Sequence, residues 1–244
     1  MKKEKALFVV PILFLFFLPV YYIAPVYLAE LDTIFISITI FLFAILVGFF
    51  ISRQATRYGQ IILKVTDFDG TMSFIYRSIG VFGEKAQGEF AEILRKHYSA
   101  IIEHGDWNFY FLQKTITLTD TNALIVKYAE PGSLNPAQNY FVSRAFVGLG
   151  EMQKIRKNLI ALYQEKIPRF QWVLVIFLTL ILITTVSSIP SSGAFLGSIV
   201  KAAFSTSIIS VVIMLWKLNH LTFYEEMVGR SSAQDVLDII VGDK

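Results

Sequence analysis

Cysteine is absent from the 244-residue chain, which rules out a disulfide framework, a thiolate metal site and a cysteine nucleophile. Charge is sparse as well. Asp, Glu, Lys and Arg make up 17% of residues, against about 25% in ordinary globular chains. The net charge is only +3, too small to draw nucleic acid, so its distribution matters more than its sum. Histidine occurs three times. His97 and His104 are placed to share a helix face, with Glu103 nearby. A metal site needs three or four converging ligands and second-shell support, and no third donor stands at suitable spacing. There is no Gly-x-Ser-x-Gly elbow, no Walker-A pattern and no Gly-x-Gly-x-x-Gly run. No catalytic residue, cofactor site or metal site is expected, and the chain reads as a non-enzyme.

Apolar residues are what the chain has in excess. They make up 55% of it, with 22 Phe, where a soluble domain averages roughly 45–50%. They gather in four runs. Ala6–Leu28, Ile34–Ile51 and Phe170–Ile189 carry no charge, and Ala194–Trp216 carries one, Lys201. A bilayer core takes about 20 apolar residues as a helix, so all four are expected to cross it. A secretory signal is the competing reading of the first run. Its apolar stretch would be about 7–15 residues and end at a small-x-small cleavage site. This run is longer, and Tyr27-Leu28-Ala29 puts Tyr where a small residue is required. A retained helix kinked at Pro11, Pro19 and Pro25 is the expectation.

Positive charge orients the runs. Lys2, Lys3 and Lys5 precede the first, fifteen Lys and Arg lie in Ser52–Arg169, and Lys217, Arg230 and Lys244 follow the fourth. The connectors Ala29–Thr33 and Pro190–Ser198 have none. Both termini and the middle segment are therefore expected in the cytoplasm, with the chain multi-pass in the cell (inner) membrane. Trp172 beside Arg169 and Trp216 beside Lys217 suit interfacial anchors, and Tyr21, Tyr22 and Tyr27 suit an outer aromatic belt. The expected fold is an all-α membrane protein: four transmembrane helices, with a helical cytoplasmic domain inserted between helices 2 and 3. Its divisions are 1–51 and 170–216 as membrane hairpins, 52–169 as the cytoplasmic domain, and 217–244 as a cytoplasmic C-terminal helix.

Within the middle segment, Ser52–Val65 continues the second helix. Glu84–His104 spaces Phe90, Ile93, Leu94, Tyr98, Ile101 and Ile102 as an amphipathic helix. Phe109–Val126 is ambiguous between strand and helix. Asn135-Pro136 offers an N-cap and a first-turn proline for a helix running to about Lys166, and Ile167-Pro168 bends the chain toward the third membrane run. Gly148 and Gly150 inside that helix suggest close packing. Ser231 and Gln234 form a possible capping box ahead of Val236, Leu237 and Ile240.

Asp67-Phe68-Asp69-Gly70-Thr71 matches the opening motif of the haloacid-dehalogenase phosphatases. That chemistry needs the first Asp at the end of a buried parallel strand, which reads as continuous apolar residues. Ile61-Ile62-Leu63-Lys64-Val65 is a poor candidate. The family's later acidic pair is also missing: Asp106 follows Gly105, but position 110 is Tyr. A turn that breaks the second helix is the expectation, because Asp and Gly favour turns.

The fourth run holds the candidate functional residues. Ser198, Lys201 and Ser205 fall on one helical stripe, and ionisable groups in membrane helices are costly and usually functional. The stripe could line an aqueous path, with Lys201 favouring anions, or face a subunit neighbour. The alternative, and the leading expectation, is an ammonium that snorkels to the outer interface. Thr179, Thr184, Thr185, Ser187 and Ser188 read as hydrogen-bonding residues of helix packing.

The stretch Arg144–Trp172, with Arg156-Lys157, Ile167-Pro168 and Trp172 before an apolar run, resembles prokaryotic membrane proteins of the bestrophin-like domain family. The shared layout is two N-terminal helices, a helical segment of this length and two C-terminal helices. The chain departs from true bestrophins, whose aromatic neck motif on the second helix has no placeable counterpart. The resemblance implies an oligomeric pathway for an anion or cation. The expected function is therefore a homo-oligomeric ion channel or conduit whose partners are the bilayer, copies of itself and an inorganic ion. The alternative is a membrane-anchored scaffold or sensor whose cytoplasmic domain binds a partner.

Overall fold

The structure, a computed structural model, describes residues 2–23, 33–104, 116–130, 132, 134–189, 194–222 and 230–242. These form α1 (Lys2–Ile23), α2 (Thr33–Ser78), a 3-10 turn (Ile79–Phe82), α3 (Glu84–His104), α4 (Thr117–Ala129), α5 (Pro136–Gln164), α6 (Arg169–Ser188), α7 (Ala194–Asn219) and α8 (Arg230–Val241). There is no strand among the described residues. The chain divides into two compact units, one of Met1–Thr56 with Lys166–Phe223 and one of Arg57–Glu165 with Tyr224–Lys244.

In the first unit, α1 packs along α7 and α6 packs against α7. Ala202 on α7 is fully buried against Phe17 and Tyr21 of α1; its methyl side chain is what lets the backbones approach. Val47 and Phe50 of α2 join Ile167, Val175 and Leu215 in a second cluster, with Trp172 half-buried against it. The outward faces stay apolar. Phe41, Phe49, Phe177 and Phe195 are all more than half exposed, as expected of helices whose solvent is lipid. Three helices, α2, α6 and α7, are long and apolar enough to cross a membrane, and Pro11–Ile23 of α1 is a shorter apolar stretch. In α2 the uncharged portion is Ile34–Ile51, and about 18 residues at 1.5 Å each reach roughly 27 Å, close to a bilayer core. Helix α1 runs through Pro11 and Pro19, while Pro25 lies outside the described residues.

The second unit is an antiparallel helix pair with smaller helices packed on it. Ile61, Val65, Phe68, Met72 and Ile75 along α2, and Ile79 in the 3-10 turn after it, are buried at alternating steps of four and three. That is a heptad seam. Phe141, Ala145, Met152, Ile155 and Leu159 repeat the spacing on α5. Contacts at three levels show the register. Arg57 bonds the Leu162 carbonyl, Thr71 meets Gly148, and Gln138 bonds the Val81 carbonyl. Each step forward on one helix is matched by an equal step back on the other.

The continuity of α2 corrects the expected turn: Asp67–Thr71 is helical throughout. Gly costs about 1 kcal/mol in a helix interior, whereas burying one large apolar side chain returns about 1.5–3 kcal/mol. Phe68 and Met72 alone outweigh Gly70. Helix α3 spans the expected residues and buries Phe90, Leu94, Tyr98 and Ile101. Thr117–Ala129 is helix, and the earlier part of the ambiguous stretch lies outside the described residues. Helix α5 opens with the expected cap: Asn135 Oδ1 accepts from the Gln138 amide at 2.9 Å, and Gln138 Oε1 accepts from the Asn135 amide at 3.0 Å. Ser231 lies within α8, and its side chain, on which the second expected capping box depends, lies outside the described residues. Val236 and Ile240 are buried as expected, with Leu237 half-buried.

Candidate functional site

Ser198, Lys201 and Ser205 share a buried stripe of α7, exposed by 4%, 9% and 0%. The stripe faces the chain's own α1 and α6. Tyr21 from α1 and Ser205 share a buried hydrogen bond of 2.7 Å. Ser187 from α6 donates to the Ile183 carbonyl of its own helix at 2.7 Å, and its hydroxyl oxygen lies 3.2 Å from the Tyr21 hydroxyl. Lys201 Nζ donates to the Ser187 carbonyl at 3.0 Å. That carbonyl belongs to the last turn of α6, where helical carbonyls lack intrahelical partners and the helix dipole is negative. Lys201 therefore caps α6 from α7. Thr206, buried beside Ser205, has a hydroxyl with no partner among the described residues.

The polar seam thus joins three helices, and its members come from widely separated positions. Sequence reasoning identified the α7 stripe but placed Tyr21 in an aromatic belt. Only the close approach of α1 at Ala202 brings its hydroxyl inside. The α6 hydroxyls bond back four residues along their own helix, Thr179 to Val175, Thr184 to Leu180 and Ser188 to Thr184. Ser187 adds a bond across to α1. At the opposite end of α6, Asn219 Oδ1 accepts from the Ile167 amide at 2.7 Å, and the Trp216 and His220 rings meet at a 36° tilt with centroids 4.5 Å apart.

The second unit holds a separate polar cluster. Asp67 and Asp69 of the phosphatase-like stretch do not converge, because residues two apart on a helix point to different sides. Asp67 is exposed and pairs with Lys64 at 3.0 Å. Asp69 is buried, accepting from the Tyr98 hydroxyl at 2.7 Å and from Ser232. Burial pushes its carboxyl up to about 6, against the pull of the Ser232 and Tyr98 hydrogen bonds. His97 is buried too, with Nδ1 3.1 Å from the Thr117 hydroxyl and its ring stacked on Phe68. Burial holds it down at about 3, so it is neutral at physiological pH. His104 is exposed and bonds the Ala100 carbonyl, so the two histidines do not meet. Among the described residues, no group of three or more potential ligands gathers to hold a metal ion. Arg57 clamps the end of α5, with Nε 2.6 Å from the Leu162 carbonyl and Nη2 2.8 Å from the Tyr163 carbonyl.

No curated protein and no solved structure matches the chain. A bestrophin-like domain matches residues 6–221. That stretch begins inside α1 and runs past the end of α7, taking in the whole polar seam. Over nearly nine-tenths of its length, the chain belongs to the bestrophin-like domain family.

Proposed function

We propose that the protein is a homo-oligomeric ion channel or conduit of the cell (inner) membrane. The observation that carries this reading is the family match, which extends across every apolar run. In this reading α1 is a fourth span, since its apolar run continues in sequence to Leu28. The abundance of Lys and Arg in Ser52–Arg169 supports a cytoplasmic position for that segment and for both termini. The proposed lining is the α7 stripe of Ser198, Lys201 and Ser205. The Lys201 ammonium rests on an uncharged carbonyl, so its positive field remains to favour an anion.

One observation favours the second reading, an anchored scaffold or sensor. Within a single chain the seam closes on itself: Ser205 is fully buried and bonded to Tyr21. The discriminating experiment is current through a planar bilayer holding the purified protein under a potassium chloride gradient. Discrete currents are expected, reversing on the chloride side. Lys201→Gln, which can still donate to Ser187, should shift reversal toward potassium. Silent bilayers from folded, inserted protein across voltage and pH would favour the scaffold.

A further inference from the structure

Among the described residues, Asp69 is the only carboxylate in the buried core, and it lies where α2, α3 and α8 meet. Tyr98 reaches it from α3 and Ser232 from the first turns of α8. Helix α8 packs on α3 through an amphipathic face that buries Ala233, Val236 and Ile240. Its far end is held by the Tyr76 hydroxyl, which donates to the Ile240 carbonyl at 3.3 Å. Asp69 is thus the polar anchor at one end of α8 and Tyr76 the anchor at the other.

Among the described residues, Asp69 is bonded by hydroxyls and by no cation. From α3 come Tyr98, which burial keeps protonated, and His97, packed edge-on to Tyr98 at 4.8 Å and neutral. From α8, Asp235 and Asp238 follow Ser232 within two turns, with Asp238 bonded to Gln234. On α2, Lys64 is paired with Asp67 and Arg77 is exposed. The bonds to the ionised carboxylate come from hydroxyls among the described residues, and buried sites disfavour its charge. A protonated carboxyl, by contrast, can donate one bond and accept another in the same place.

We propose that Asp69 is a proton-operated latch for α8: proton binding tightens the docking of this helix on α2 and α3, and ionisation loosens it. The sign follows from linkage. Docked, Asp69 titrates at about 6; undocked in water it returns toward 3.8. The docked state binds more protons over that window, so docking strengthens as pH falls and weakens as pH rises through 6. Between pH 7 and pH 5 the docking equilibrium shifts by about tenfold. The latch does not depend on ion conduction, because Asp69 lies beyond the uncharged span of α2.

The test is hydrogen exchange of the full chain in lipid nanodiscs, read as protection factors corrected for intrinsic pH dependence. Amides of α8 should gain about tenfold in protection from pH 7 to pH 5. Asp69→Asn, a neutral mimic of the protonated carboxyl, should be flat over that range. Tyr98→Phe removes a donor from the ionised form and should move the transition to higher pH. Protection in α5 reports whether each variant has folded. A flat wild-type profile, or one that neither variant alters, overturns the proposal. If Asp69→Asn does not fold, the wild-type profile and the Tyr98→Phe shift decide it.

Discussion

At the residue scale, several buried polar groups among the described residues meet partners far away in sequence. Arg57 satisfies two carbonyls at the end of α5, and Lys201 does the same for one carbonyl at the end of α6. Both serve orphan carbonyls that a helix cannot pair internally. His97 shows the opposite electrostatic sign from Asp69. Its folded value of about 3 lies below the ordinary 6.5, so its stabilising contribution is complete above 6.5 and is lost as pH falls toward 3. By pH 5 that loss is about 2 kcal/mol. We expect local protection in α4, whose Thr117 bonds His97, to fall on acidification while that of α8 rises. His97→Gln should flatten the α4 slope between pH 6.5 and 5. An α4 profile unchanged by that substitution would contradict the assignment.

At the scale of elements, two glycines on α5 that look alike in sequence differ in environment. A Cβ at Gly148 would stand 3.1 Å from the Thr71 methyl on α2, while at Gly150 nothing lies within 4 Å. Replacing Gly by Ala in a helix gains about 1 kcal/mol. Gly150→Ala should therefore raise the melting temperature. Gly148→Ala should leave it near the wild-type value, because crowding offsets the gain. Gly148→Leu should cost about 1–3 kcal/mol or more through overpacking. Thermal melts of the four proteins in one detergent check the order, and equal effects at the two positions would refute the close approach. The sequence reading anticipated close packing here, and it holds for Gly148 alone. The heptad of Ile61, Val65, Phe68, Met72, Ile75 and Ile79 was legible in the sequence, but Asp67, Asp69 and Gly70 obscured it. Local propensity is worth about 1 kcal/mol per residue, so the seam prevails.

At the scale of the whole molecule, the proposed four-span arrangement makes a prediction that the absence of cysteine renders clean. A single cysteine introduced in right-side-out and inverted vesicles reports sidedness without a background thiol. Ser99→Cys, on the exposed side of α3, should react only with reagent on the cytoplasmic side. Ser192→Cys, in the connector between the third and fourth apolar runs, should react only from the opposite side. Labelling of both from one side would reject four spans in this orientation. Each of the two compact units has its own core and its own polar cluster.

The sequence by itself determined the helical class, the membrane runs, the amphipathic α3 and the capped start of α5. Those features rest on local properties: hydrophobic length, 3–4 residue spacing, and cap chemistry within a few residues. Tertiary structure decided the rest. It carried α2 through Asp67–Thr71, set Lys201 on the end of α6, brought Tyr21 to Ser205, and joined Asp69 to Tyr98 and Ser232. The Tyr21–Ser205 and Asp69–Ser232 pairs are separated by 184 and 163 residues. In a low-dielectric interior a buried polar group must find a partner wherever the packed helices present one, and only the packing of those helices says which partner that is.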